Sequence, residues 1–243
     1  MHRWSRGVAL LILLLFAAAV TAAAPRGGSV TTGAGAELDE PKLVALTFDD
    51  GPKGKWTTQL LDGLAERGAK ATFFLIGAQL AEDPEKAVRM VREGHQVGIH
   101  TYDHLSALTG LTRAQFDAQV DRTRQLLSGI LGRDDFLLRP PYGAIDDNVR
   151  RWAQAPLVLW SVDSEDWKLQ DADRVAQGIL DVVEDGDIIL MHDIFPESVE
   201  AALKVVDALH GQGYYFVTVS QLFEERGITL EHGTAYFSAH SMG

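Results

Sequence analysis

The chain has 243 residues, 46% hydrophobic and 23% charged, the profile of a globular protein whose length suits one α/β domain with a sizeable core. Its formal net charge of −12 argues against a nucleic-acid partner bound through phosphate neutralisation. There is no cysteine, which excludes disulfides, thiolate metal sites and a lipid-modified cysteine, so an exported protein of this kind rests on its core alone.

Taken in chain order, the first segment is a leader. Met1-His2-Arg3-Trp4-Ser5-Arg6 is basic, Val8 to Val20 is apolar, and the run ends in Thr21-Ala22-Ala23-Ala24. Residues 1–24 therefore read as a secretory signal, cleaved near Ala22 to Ala24. The apolar run is close to the lower length for spanning a bilayer, so an uncleaved anchor is the alternative. Residues 25–41 are rich in Gly, Ala, Ser and Thr without periodic apolar positions, and read as a flexible linker.

From Lys42 onward, apolar runs suited to buried strands recur: Leu43–Leu46, Ala71–Leu75, Gln96–Ile99, Phe136–Leu138, Leu157–Trp160, Asp187–Met191 and Tyr215–Val219. Between them, Trp56–Arg67, Pro84–Glu93, Arg113–Leu131, Asp173–Val183 and Val199–His210 space their apolar residues three and four apart, as helices do. Such alternation implies a parallel sheet, and about seven units favour a distorted (β/α) barrel over an open sheet. A single domain is expected over residues 42–226. The tail, 227–243, is short and polar; its His232 and His240 are expected at the surface without a role. His95 and Asp103 are expected to face solvent and His210 to end a helix.

Five short segments stand at or just beyond predicted strands. They are Thr47-Phe48-Asp49-Asp50-Gly51-Pro52, His100-Thr101-Tyr102-Asp103-His104, Arg139-Pro140-Pro141-Tyr142-Gly143, Asp163-Ser164-Glu165-Asp166-Trp167 and Leu190-Met191-His192-Asp193. Alone, the first is ordinary turn chemistry. Side chains alternate along an extended chain, however, so Asp49 and Asp50 would point different ways, one free to hold a metal while its neighbour moves a proton. His100 and His104, four apart, can reach one side of a helical turn or compact loop, and with Asp50 they make a two-histidine, one-carboxylate set. Three protein ligands with an open position are what a hydrolytic zinc site needs. Cobalt, iron or nickel would suit the same ligands. His192 follows the buried run Ile188-Ile189-Leu190-Met191, so its side chain should emerge at the strand's end as a candidate general acid.

The ordered set resembles the polysaccharide deacetylase family, also called the NodB homology domain or carbohydrate esterase family four, over roughly residues 42–225. The resemblance implies that Asp50, His100 and His104 are the metal ligands and that Asp49 is the base, held by Arg139. It implies that Asp166 orients and charges His192, and that the backbone N–H of Tyr142 helps hold the oxyanion. Leu190 and Trp167 would wall the acetyl methyl, and Asp163 would serve as a cap. Two positions depart from the family's usual pattern: Ile99, where Asn is frequent, and Leu105, where Pro is frequent. The implied function is a secreted or cell-envelope, metal-dependent deacetylase acting on N-acetylglucosamine units of a glycan, peptidoglycan first and chitin oligomers next. The alternatives are an O-acetyl esterase on acetylxylan and a catalytically inert glycan-binding protein on the same scaffold. A net charge of −12 makes a neutral or only locally charged glycan easier to accommodate than a strongly anionic one. A monomer is expected, with no membrane contact unless the leader stays uncleaved.

Overall fold

The computed structural model describes residues 41–104 and 106–240, so the leader, nearly all of the linker and Leu105 lie outside the described residues. Eight strands alternate with nine helices among those residues. The strands are β1 (Lys42–Asp49), β2 (Ala71–Ile76), β3 (Gln96–Thr101), β4 (Leu157–Val158), β5 (Val162–Asp163), β6 (Ile188–His192), β7 (Tyr214–Phe216) and β8 (Ala235–Tyr236). The helices are α1 (Gly54–Arg67), α2 (Gly77–Glu82), α3 (Pro84–Arg92), α4 (Arg113–Leu131), α5 (Asp147–Trp152), α6 (Asp166–Leu169), α7 (Ala172–Leu180), α8 (Pro196–Gly211) and α9 (Val219–Glu225). None is long and apolar enough to cross a membrane.

The main sheet is parallel, in the order β3-β2-β1-β6-β5, with β7 pairing the start of β1. About seven full strands were expected; the far side of the sheet is thinner than that. Phe136–Leu138 forms no strand and contributes only single bridges, Ile99 to Leu138 and Leu138 to Leu157. The segment after it does double duty: Val158 N–H donates to Leu138 O at 2.9 Å, and Ser161 N–H donates to Ile188 O at 3.0 Å. Residues 157–163 therefore reach both ends of the strand series, although no continuous ladder closes a barrel among the described residues.

The two-residue period of β1 decides what faces where. Val44, Leu46 and Phe48 join the larger apolar cluster beneath the helices, whereas Leu43 and Ala45 pack with Phe74, Leu137, Val158 and Ile188. Thr47 and Asp49 continue that second face. Both faces of a parallel sheet are covered here, which is why these strands read as unbroken apolar runs.

The helices follow their signals. α4 opens on the capping box of Thr112 and Gln115 and stops at Gly132, whose φ of 69° suits glycine. The run expected as a strand to Val219 divides instead: Phe216 ends β7, and Thr218 caps α9 through Gln221. The tail adds β8 alongside β4, an antiparallel bridge from Asp187 to Ser238, and a hydrogen bond of 2.7 Å between His240 Nε2 and Asp187 Oδ1. His232 is exposed and His210 lies in the last turn of α8.

Candidate active site

β1 and β6 are neighbours in register, so Asp49 lies opposite His192 at the carboxyl ends of their strands. Asp49 is buried on the inner face, where Arg139 meets it. Arg139 is completely buried, and every contact of its guanidinium is specific: Nη1 donates to Asp49 Oδ1 at 2.9 Å and Thr47 Oγ1 at 2.7 Å, Nε to Val158 O at 3.1 Å, and Nη2 to Leu159 O at 2.8 Å. The group stacks over Phe74, 4.2 Å from the ring centroid. A buried charge persists only where it is paired and hydrogen-bonded in this way. One oxygen of Asp49 is thereby fixed; the other, Oδ2, faces His100 Nε2 at 3.7 Å.

Beyond the strand the chain turns, and Asp50 takes a positive φ of 70° that directs its carboxylate away from its neighbour's. Asp50 Oδ1 lies 3.5 Å from His100 Nε2 and 3.7 Å from His104 Nε2. The candidate ligand atoms of Asp50, His100 and His104 sit within 4.8 Å of one another. His100, at the end of β3, is buried, and its Nδ1 stands 2.7 Å from the Arg139 carbonyl, which can only accept; Nδ1 therefore carries the proton and Nε2 presents its lone pair to Asp50. Burial holds the His100 pKa below its ordinary value despite the attraction of Asp49 and Asp50, which keeps the ring neutral, as a metal ligand must be. Asp50 Oδ1 is buried without a hydrogen-bond partner. An orphaned carboxylate oxygen facing the lone pair of His100 Nε2, with His104 Nε2 beside it, fits a divalent cation, so the residues present suit the expected metal.

Local backbone strain gathers at this point. Asp50, Thr101, His104 and Tyr142 all have φ between 53° and 110°, a region costly for residues with a Cβ. The His104 ring stands edge-on to Tyr142, with centroids 5.1 Å apart.

The surroundings of His192 are built by β6 and α6. Asp166 opens α6 in full burial and grips His192 twice: Oδ1 lies 2.7 Å from the ring Nδ1, and Oδ2 accepts the backbone N–H at 2.7 Å. Burial alone would lower the His192 pKa. The Asp166 hydrogen bond and charge outweigh it, Asp49 and Asp50 add to them, and the imidazole is pushed up to about 9. Burial likewise opposes ionisation of Asp166, but the His192 contact holds that carboxyl below its usual range. Asp163 Oδ1 accepts the Glu165 N–H at 3.0 Å, a capping contact. Leu190 is buried in β6, while Trp167 and Tyr142 are 54% and 69% exposed.

The structure thus brings Asp49, Asp50, His100, His104, Arg139, Asp166 and His192 to one end of the sheet. Two expectations nearby need correction. His95 is not solvent-facing; it is 5% exposed, takes the Ala71 N–H on Nδ1, and stands edge-on to Phe73, its pKa lowered to about 4 by burial and by Lys70. Asp103 is half-buried, and its backbone N–H reaches Gln119 Oε1 at 3.3 Å. Sequence reasoning passed over Thr47, although its position two before Asp49 on the same strand face was the available signal.

Residues 37–156 match the family model described as polysaccharide deacetylase. The chain is 40% identical over 183 residues to a peptidoglycan-N-acetylmuramic acid deacetylase, PdaC, of Bacillus subtilis, covering 75% of this chain and 39% of that one. It is 38% identical over 196 residues to a peptidoglycan-N-acetylglucosamine deacetylase, PgdA, of Listeria monocytogenes, covering 81% and 41% respectively. The chain thus spans about two fifths of the length of these relatives. A solved structure of the T48 deacetylase with substrate shares 44% identity with a TM-score of 0.76, over 81% of this chain and 96% of that one.

Proposed function

The chain belongs to the polysaccharide deacetylase family, and on that premise we propose that it is a metal-dependent deacetylase hydrolysing the acetamide of N-acetylglucosamine units in peptidoglycan, outside the cytoplasm. The observation that carries the reading is the Asp49–His192 register across β1 and β6, with the Asp50, His100 and His104 set beside it. Binding alone would require no such opposition of a fixed carboxylate and a charged imidazole.

A divalent ion held by Asp50, His100 and His104, zinc by preference and otherwise cobalt, iron or nickel, would polarise the acetyl carbonyl and lower the pKa of water from 15.7 to about 7. Asp49 takes the proton of the attacking water on Oδ2, because Arg139 holds Oδ1. Tyr142 contributes its backbone N–H to the oxyanion, and a donor of this kind contributes about 3 to 4 kcal/mol in the transition state. His192 then gives its proton to the departing amine from the nitrogen that Asp166 leaves free. Leu190 and Trp167 form the apolar wall for the acetyl methyl.

Acetate release from peptidoglycan, chitooligosaccharide and acetylxylan, each with and without chelator, tests the proposal. Chelator-sensitive release from peptidoglycan above the other two is expected. Release from acetylxylan alone would replace it with an O-acetyl esterase, and no release from any of them would favour a glycan-binding protein.

A further inference from the structure

Asp193 is a fully buried carboxylate that the chemistry above leaves unused. It directly follows His192, and its side chain enters the turn that carries Asp50. Its Oδ2 accepts the Thr57 hydroxyl, and Thr57 Oγ1 in turn accepts the Lys53 N–H at 2.7 Å. Its Oδ1 has no hydrogen-bond partner. That oxygen occupies the space where a side chain at residue 51 would lie, since a Cβ on Gly51 would come within 2.3 Å of it. On the other flank, Gln79 Nε2 donates to the Asp50 carbonyl at 2.7 Å and the Ile76 N–H to the Gly51 carbonyl at 2.9 Å. The turn is therefore gripped from both sides, with strained Asp50 between them.

A buried, half-satisfied carboxylate is expensive, and it persists where it determines something nearby. We propose that Asp193 is a positioning residue for the metal ligand Asp50: with Thr57 it fixes residues 51–53 and so sets the angle at which the Asp50 carboxylate meets His100 and His104. The inference rests on the reading of Asp50 as a ligand. The rival role is an anchor for the first turn of α1, where a carboxylate is favoured by the helix dipole.

Zinc affinity of the full chain, titrated after metal removal against a competing chromophoric chelator, separates the two, alongside thermal melting of the metal-free protein. Supporting groups behind a metal ligand typically contribute about 10- to 100-fold in affinity, so Asp193→Ala should bind zinc weaker by that factor. Asp193→Asn, which keeps the shape and an oxygen for Thr57, should recover most of the loss. A lowered melting point with unchanged zinc affinity would make Asp193 a helix anchor and overturn the proposal. If Asp193→Ala does not fold, Thr57→Val carries the test: weaker zinc binding is expected, and wild-type affinity overturns it. Uptake of zinc by the wild type, its loss in Asp50→Asn and its full retention in the Asp193 and Thr57 variants would remove this inference alone. A wild-type chain that takes up no zinc removes the ligand reading and this one with it.

Discussion

The adjacent carboxylates Asp49 and Asp50 meet different partners, and the roles proposed for them rest on that asymmetry. Asp49 is clamped by a guanidinium, whereas Asp50 Oδ1 has only imidazoles before it. Asp49→Asn should therefore keep its metal and lose turnover, while Asp50→Asn should lose the metal; elemental analysis beside an acetate assay distinguishes them, and the reverse pattern exchanges the roles. His192 gives a second prediction. An acid matters most to a poor leaving group, so His192→Ala should cost about 10² to 10⁴ on an amide and far less on an activated aryl ester. Its pKa of about 9 means that the proton is present below that pH, so activity should fall on the alkaline side, and Asp166→Asn should move that limb to lower pH. Stability should follow the same group. Its folded pKa lies above the ordinary 6.5, so in metal-free protein the stabilisation from the pair is complete below about 6.5 and lost as pH rises through about 9, measurable by urea titration along pH.

At the scale of elements, Arg139 substitutes for a strand that is barely there. Phe136–Leu138 makes only single bridges, and the guanidinium ties β1 to the carbonyls of Val158 and Leu159 across the gap. Arg139→Met should leave Asp49 buried and unpaired and destabilise the fold by about 3 to 5 kcal/mol, read from the denaturant midpoint. Removing the α4 capping box by Thr112→Ala should cost about 1 kcal/mol without changing turnover. These elements also mark how far the sequence could be read. Arg113–Leu131 was legible to the residue because periodicity, a cap and a terminal glycine all agree. Short α5 and α6 were not, since they span six and four residues, too few for a period to declare itself. That Asp50, His100 and His104 would come together was legible from motif order, but the left-handed turns at Asp50, Thr101 and His104 were not, because no glycine announces them. Asp193 was visible within its motif, yet nothing local indicates that its carboxyl enters a turn on another strand.

For the whole molecule, the parallel architecture was legible from alternating apolar runs, whereas the uneven closure depends on backbone contacts between segments remote in sequence. Neither apolar cluster includes Asp50, His100 or His104, so the core should form without a metal. Chelation should accordingly abolish turnover while leaving far-ultraviolet circular dichroism unchanged, and loss of the dichroism signal would show that the ion is structural. The tail carries a further consequence. It joins the fold at Asp187, at the start of β6, while the chemistry stands at His192; at roughly 3.3 Å per residue the strand separates them by about 17 Å. A reporter grafted after His240 would hang near the start of β6, at the far end of that strand from His192, whereas a graft at Gly227 would threaten the pairing of β8 with β4 first.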